Sequence, residues 1–219
     1  MKRELRLTAD GSHTLYVPSL DESYHSIHGA IQESNHVFIR EGFLEALKPS
    51  MRILETGLGT GLNVLLTLRE SLRTFTAVHY HSVERYPLEK GEYGCLNYEM
   101  LISGLPERIV FKIHDAPWEK DLTLDENFIL HKERSDFRTM QPGGKFDLVY
   151  FDAFAPNKQP ELWTKEIFSK AYGLLNPGGI LVTYSSKSIV RKELTSCGFA
   201  VEKRPGPPGK REMTRAIKR

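Results

Sequence analysis

Glu55-Thr-Gly-Leu-Gly-Thr-Gly-Leu-Asn63 separates two apolar segments of different kind. Before it, Met51 to Leu54 is a short apolar run; after it, Val64, Leu65, Leu68 and Leu72 recur at helical spacing. Strand, glycine-rich turn and helix in that order bring backbone close to a nucleotide-like ligand. Spacing separates the ligand classes. A dinucleotide site prefers Gly-x-Gly-x-x-Gly, with the helix N-terminus aimed at a pyrophosphate. Here Gly57, Gly59 and Gly61 alternate, with the acid Glu55 just before them. A plain turn would tolerate the same glycines, so the decision rests on residues further along the chain.

Partners stand at sensible intervals. Ala77-Val-His-Tyr-His-Ser-Val-Glu84 is strand-like and ends in an acid. At the carboxyl end of a second strand, an ionised Glu can accept both ribose hydroxyls. A solvated strand-end Glu is the alternative, and the separation from Gly61 favours the ribose. Val110-Phe-Lys-Ile-His-Asp115 repeats the form and predicts a third short strand. Phe146-Asp-Leu-Val-Tyr-Phe-Asp152 is almost continuously apolar, as expected of a central parallel strand. It breaks into Ala153-Phe-Ala-Pro-Asn-Lys-Gln-Pro-Glu-Leu-Trp163. Asp152 and this proline-stiffened loop are thus expected where open α/β sheets bind ligands; a turn-capping Asp is the alternative. The tight glycine pattern resembles the first motif of S-adenosylmethionine-dependent methyltransferases. That resemblance implies cofactor contacts from Glu55, Gly57, Gly59, Gly61, Asn63 and Glu84. It also implies Asp115 near the adenine amino group, unless Asp115 caps a loop.

A chain of 219 residues is one domain, with room for a small appendage. No apolar run approaches the roughly 20 residues of a membrane span. The first residues, Met-Lys-Arg-Glu-Leu-Arg, lack the apolar segment of a signal peptide. Cys95 and Cys197 lie far apart without metal-like companions, so a cytoplasmic setting is expected, with neither a disulfide framework nor zinc. Charge is uneven along the chain. Residues 203–219 hold seven Lys/Arg against one acid, Glu212, which reads as a phosphate-backbone footprint or as a solvated basic tail.

Leu5-Arg-Leu-Thr and Thr14-Leu-Tyr-Val flank Asp10-Gly11, a hairpin signal, and a helix-like segment ends near Lys48-Pro49. Strand-like runs around 51–55, 77–84, 109–114, 146–152 and 180–184 alternate with helical or loop material, predicting a parallel sheet covered on both faces. Residues 188–197 read as a last helix, ended by Gly198. Runs beginning at Phe199 and Met213 have no helix between them, so they pair antiparallel if adjacent. The polar stretch 121–141 reads as a lid, a substrate-contacting insertion or a plain surface excursion. The expected division is a hairpin-plus-helix extension, 1–48, packed on a methyltransferase domain, 49–219, with an insertion at 121–141. The fold class expected is α/β, a class I (Rossmann-like) methyltransferase sheet ending in an antiparallel hairpin.

Four blocks together resemble the tRNA 5-aminomethyl-2-thiouridine methyltransferases. They are Tyr24-His-Ser-Ile-His-Gly-Ala-Ile-Gln-Glu-Ser-Asn-His-Val-Phe-Ile with Gly42-Phe43, the glycine block, the block from Phe151 to Trp163, and Gly206-Pro-Pro-Gly-Lys-Arg-Glu-Met213. The glycine block is shared by many methyltransferases; the other three are more specific, and together the blocks span nearly the whole chain. The resemblance implies an S-adenosyl-L-methionine-dependent enzyme that methylates the primary amine of 5-aminomethyl-2-thiouridine at the tRNA wobble position. Separate enzymes would supply that amine, and no flavin or metal is implied. Longer members fuse this domain to an FAD-dependent oxidase; a chain ending at Arg219 is expected to be the stand-alone form.

An alkylamine with a lysine-like pKa of about 10.4 is only about one part in 2,500 neutral at pH 7, so presenting its lone pair costs roughly 4–5 kcal/mol. A nearby carboxylate attracts the ammonium form. Asp152 is therefore expected to orient the amine and accept a proton as the new cation forms, with positioning supplying most of the acceleration. Splayed-out bases are read by stacking, which makes Tyr24, Phe38, Phe154 and Trp163 candidates, each of which could instead be core. Lys158, Lys210 and Arg211 are placed for phosphate contacts. Glu33 lies near the cofactor or amine, or caps a helix. His25, His28 and His36 lack the spacing of a metal site. Rival readings are a methyltransferase of a small-molecule amine or hydroxyl, an aminopropyl transferase, and a non-catalytic tRNA-binding module.

Overall fold

The computed structural model describes residues 1–219. Its first sheet takes β1 (Glu4–Leu7), β2 (His13–Val17) and β3 (Glu22–Ser23), antiparallel in that order. The turn at Asp10-Gly11 does more than reverse the chain. The Thr8 hydroxyl and the Asp10 carboxylate accept the backbone N–H groups of Ala30 (3.3 Å) and Gln32 (2.9 Å), at the start of α1 (Ala30–Ser34). Those are orphan donors of a helix end that Gly29, at the N-cap, has no side chain to satisfy. The helix continues into a π-helix, Asn35–Phe43, whose buried Val37, Phe38, Ile39 and Phe43 join the main core. Phe38 packs on Tyr150 at 5.1 Å, so it is core and not a stacking platform.

The main domain runs β4 (Ser50–Thr56), α2 (Leu62–Thr74), β5 (Ala77–Val83), α3 (Lys90–Tyr93), α4 (Tyr98–Leu101) and α5 (Ile109–Asp115). It continues through β6 (Asp121–Asp125), β7 (Phe128–Glu133), β8 (Phe146–Phe151), α6 (Lys165–Leu174) and β9 (Leu175–Thr183). It closes with α7 (Ser188–Ser196), β10 (Phe199–Pro205) and β11 (Glu212–Lys218). Eight strands form one sheet in the order β10-β11-β9-β8-β4-β5-β7-β6. The five from β9 to β7 are parallel; β6, β10 and β11 are antiparallel to their neighbours. Alternate residues divide between two cores, with Ile53, Leu148 and Val182 on one face and Leu54, Val149 and Leu181 on the other. From β4 the chain builds outward through β5 to β7, then returns to β8 on the other side of β4. The carboxyl ends of β4 and β8 therefore flank the switch point where such sheets bind ligands.

Two expectations are corrected in neighbouring segments. Residues 109–114 are not a strand: they lie in α5, with Ile109, Val110 and Ile113 buried at helical spacing. Both ends of that helix are served from outside it. The Glu99 carboxylate accepts the N–H groups of Arg108 (3.2 Å) and Val110 (2.7 Å), and Lys132 Nζ donates to the carbonyls of Ile113 (2.6 Å) and His114 (3.1 Å). Such distant caps override the β-branched and aromatic local composition. The third parallel strand is β7, inside the stretch expected to be an insertion. Residues 121–141 are no surface excursion: β6 and β7 form the edge hairpin, and β7 pairs with β5 from Val78↔Phe128 to Val83↔Glu133. Phe128, Leu130 and Lys132 alternate inward, and a buried lysine in that alternation disguised the strand.

Candidate active site

A cavity of about 480 Å³ opens at the switch point, within the range of small-molecule sites. Its floor is the glycine loop between β4 and α2. Gly59 has φ +51°, and a Cβ there would stand 3.0 Å from the Tyr24 ring, so both backbone and ring require glycine. Glu84, at the carboxyl end of β5, is fixed by backbone: Oε2 accepts from the Gly59 N–H (3.0 Å) and Oε1 from the Tyr86 N–H (2.6 Å). Each oxygen keeps acceptor capacity for a hydroxyl donor. Tyr24 stands over the loop, edge-on to Phe154 at 5.1 Å, and both line the cavity.

Carboxyl groups crowd the loop. Glu55 is fully buried beneath it; the Ser82 hydroxyl donates to Oε2 (2.7 Å), and Oε1 has no partner. Burial pushes its carboxyl up to about 8 against the Ser82 hydrogen bond, and Asp152 adds to the rise. Asn63 Nδ2 donates to Asp152 Oδ2 (2.8 Å), while Asn63 Oδ1 and Thr60 Oγ1 are buried without partners. Orphaned polar atoms of this kind are costly to leave unmade and favour a ligand that supplies donors. Asp152 itself follows β8, with its backbone N–H donating to Thr56 Oγ1 (2.9 Å). Burial raises its carboxyl to about 7, against the Asn63 hydrogen bond; Glu33 pushes the same way and Lys210 the opposite way. A carboxyl so poised can take up a proton near neutral pH.

Several candidates are brought together and others are not. Gly57, Gly59, Asn63, Glu84, Tyr24, Asp152, Phe154 and Lys210 share the cavity wall. Glu55 and Gly61 lie behind it, Gly61 packing against His114. Asp115 ends α5 instead of a strand, and its carboxylate accepts from the Tyr93 hydroxyl, away from the cavity. Ser135, Asp136 and Phe137, just past β7, occupy the place expected of it. Trp163 is not a stacking platform: it is buried against Phe151 and Phe168, and its indole N–H donates to the Phe154 carbonyl (2.7 Å), which braces the loop after β8. Lys158 pairs with Asp21 (3.4 Å) at the rim. Lys210 turns inward to Glu33 (2.6 Å), leaving Arg211 exposed.

The basic tail is largely neutralised within the fold. Arg204 pairs with Glu41 (2.6 Å), Arg215 with Glu45 (2.6 Å) and Glu202 (2.8 Å), and Lys218 Nζ donates to the carbonyls of Tyr172 and Leu175. The three histidines are dispersed: His25 beside Thr14, His28 under Gly209, His36 on the Pro205 carbonyl. Arg3 is a contact that the sequence does not signal. Its side chain donates to the Tyr24 hydroxyl (2.9 Å), Glu92 (2.8 Å) and the Tyr86 carbonyl (2.5 Å), tying the N-terminal hairpin to two cavity walls. A lone arginine near a terminus carries no signal of this.

The chain is 32% identical to MnmC2 from Aquifex aeolicus, a solved structure, over 98% of this chain and 70% of that one, with a TM-score of 0.80. It belongs to the MnmC2 family. A family model described as an S-adenosyl-L-methionine-dependent methyltransferase matches residues 121–219, beginning at the edge hairpin. The protein is an S-adenosyl-L-methionine-dependent methyltransferase. Among curated relatives, the tRNA 5-methylaminomethyl-2-thiouridine biosynthesis bifunctional protein MnmC of Cupriavidus metallidurans is 31% identical over 95% of this chain and 33% of its own length. That of Pseudoalteromonas atlantica is 29% identical over 98% and 33%. The chain thus spans about a third of the length of the curated relatives it matches. Spermidine synthase from Thermotoga maritima, 12% identical with a TM-score of 0.57 over the whole of this chain and 72% of its own, shares the fold alone. No helix is long and apolar enough to cross a membrane.

The cavity of this MnmC2 family member fits the cofactor. Glu84 offers two acceptors, as a ribose diol requires, and Asn63 Oδ1 and Thr60 Oγ1 offer unused acceptors to an amino-acid end.

Proposed function

We propose that this protein methylates the primary amine of 5-aminomethyl-2-thiouridine at the tRNA wobble position, giving 5-methylaminomethyl-2-thiouridine, in the cytoplasm. The observation that carries the reading is Asp152, a carboxyl raised to about 7, held by Asn63 in the same cavity as Glu84. The names of the curated relatives point to the same nucleoside. Other enzymes would supply the aminomethyl group.

Glu84 would hold the ribose, and the glycine loop with Asn63 and Thr60 would hold the amino-acid end. Ser135, Asp136 and Phe137, in the cavity wall just past β7, would flank the adenine. When bound, the cofactor supplies an electrophilic sulfonium methyl. Asp152 accepts a hydrogen bond from the amine, orients the lone pair, and takes the proton released from the product ammonium. Phe154 and Tyr24, packed edge-on to one another in the cavity wall, would meet the splayed base. Tyr184, whose hydroxyl donates to the Ala153 carbonyl (2.9 Å), closes the wall behind Asp152.

Labelled S-adenosyl-L-methionine and tRNA carrying 5-aminomethyl-2-thiouridine test the reading. Label recovered in methylaminomethyl-thiouridine after nucleoside analysis is expected. Label absent from tRNA but present on a small amine would overturn it.

A further inference from the structure

Three carboxyl groups gather at the reacting end of the cavity: Glu22 of β3 and Asp152 beyond β8 line it, and Glu33 of α1 is buried behind the wall, close enough for its charge to act on Asp152. A nucleophilic amine entering among them is drawn toward its ammonium form, which has no lone pair to give. One cation reaches into the cluster. Lys210 Nζ lies 2.6 Å from Glu33 Oε1 and 4.2 Å from the centre of the Tyr184 ring, an ion pair made over an aromatic face. Glu33 is buried, and its second oxygen accepts the Ser26 N–H (2.8 Å), so it cannot swing away. The loop carrying Lys210 is equally fixed. Gly209 has φ +84° and presses on His28, where a Cβ would come within 2.5 Å, and the Lys210 N–H returns to the Pro207 carbonyl (2.9 Å). The other titratable groups nearby are Lys158 and Asp21, which pair with one another at the rim, His28 beneath the loop, His25 buried within reach of the Glu33 charge, Glu55 under the glycine loop and Tyr184 in the wall.

We propose that Lys210 is a positioning residue that balances charge for the acceptor amine: by cancelling Glu33, it removes one of the anions that would hold the amine as ammonium, and so preserves its lone pair. This role rests on the amine-methylating function proposed for the same cavity. It differs from a phosphate contact, for which an outward-facing lysine would serve. A unit charge a few ångströms away in a half-buried site alters a pKa by about one unit. Lys210→Met frees the Glu33 charge, which raises the amine pKa. The ascending limb of kcat against pH should then move about one pH unit to the alkaline side, costing about tenfold at every pH well below the amine's own pKa of about 10.4.

The decisive comparison includes Lys210→Arg, which should retain the wild-type limb, and the double variant Glu33→Gln with Lys210→Met, which removes both charges and should bring the limb back. A substrate-free arm follows the Asp152 carboxyl by ¹³C NMR. Its titration midpoint should rise in Lys210→Met and return in the double variant, whatever the true acceptor. An unshifted limb with a raised, salt-sensitive KM for tRNA would overturn the proposal, as would a double variant no better than Lys210→Met. Failure of the amine-methylating function itself would appear separately, as wild-type protein that leaves the aminomethyl nucleoside unmethylated while the NMR arm still reports on the pair.

Discussion

The two halves of the cavity are built from different materials. On the cofactor side, Glu84 is clamped by the backbone N–H groups of Gly59 and Tyr86, on a loop whose shape follows from glycines. On the reacting side, Asp152, Glu33 and Lys210 are held by side chains, with Asp152 kept in surroundings that disfavour its charge. Backbone fixes a binding site cheaply and by local sequence. Buried charge gives reactivity at a cost in stability, because a desolvated carboxylate must be tolerated until the substrate arrives.

If this division is right, substitutions should separate the halves. Asp152→Ala is expected to lower turnover about 10³-fold or more, by analogy with the loss of other positioned catalytic groups, while calorimetry finds cofactor affinity within a few-fold of wild type. Glu84→Ala should do the reverse, weakening cofactor binding about 10–100-fold through two lost charged hydrogen bonds, with kcat at saturating cofactor much less affected.

Stability should respond to pH through the buried carboxyls: Glu55 beneath the glycine loop, pushed up to about 8, and Asp152 on the reacting side. The native pKa of Asp152, about 7, lies above the roughly 3.9 of an unfolded Asp, so the folded state binds its proton more tightly. That contribution is full below about pH 4 and is lost as pH rises through 7. Asp152→Asn should therefore raise the stability of the cofactor-free protein at pH 8, by on the order of 2 kcal/mol in denaturant melts, and leave it unchanged or lower at pH 4. A variant no more stable at pH 8 would break the comparison. Trp163→Phe, which removes the donor to the Phe154 carbonyl, should cost about 1 kcal/mol and slow transfer several-fold with cofactor affinity intact. The smallest effect is expected far from both halves. Phe75 ends α2 at φ +54° and is 86% exposed, so Phe75→Gly should stabilise by about 0.5 kcal/mol.

Legibility in the sequence divides along the same line. The strand–loop–helix at 51–72, Glu84 and Asp152 are encoded by contiguous residues whose period and turn chemistry are local, and they lie where the pattern put them. The terminal hairpin was legible for the same reason. Asp115 was misplaced because α5 is capped by Glu99 and Lys132, residues outside the segment, and β7 was hidden because its alternation includes that same Lys132. Arg3, Tyr184 and the inward turn of Lys210 depend on contacts between distant parts of the chain. Composition placed seven cations at the carboxyl end, but only the fold reveals that most of them already have partners.

The claim that the reacting half is made of buried, poised charge has a direct measurement. Protein labelled with ¹³C at aspartate carboxyl groups, with Asp152 assigned by comparison with Asp152→Asn, can be titrated from pH 4 to pH 9 without cofactor or tRNA. The account predicts a midpoint near 7 for Asp152. A midpoint near 4, the value of an ordinary solvated aspartate, would contradict it.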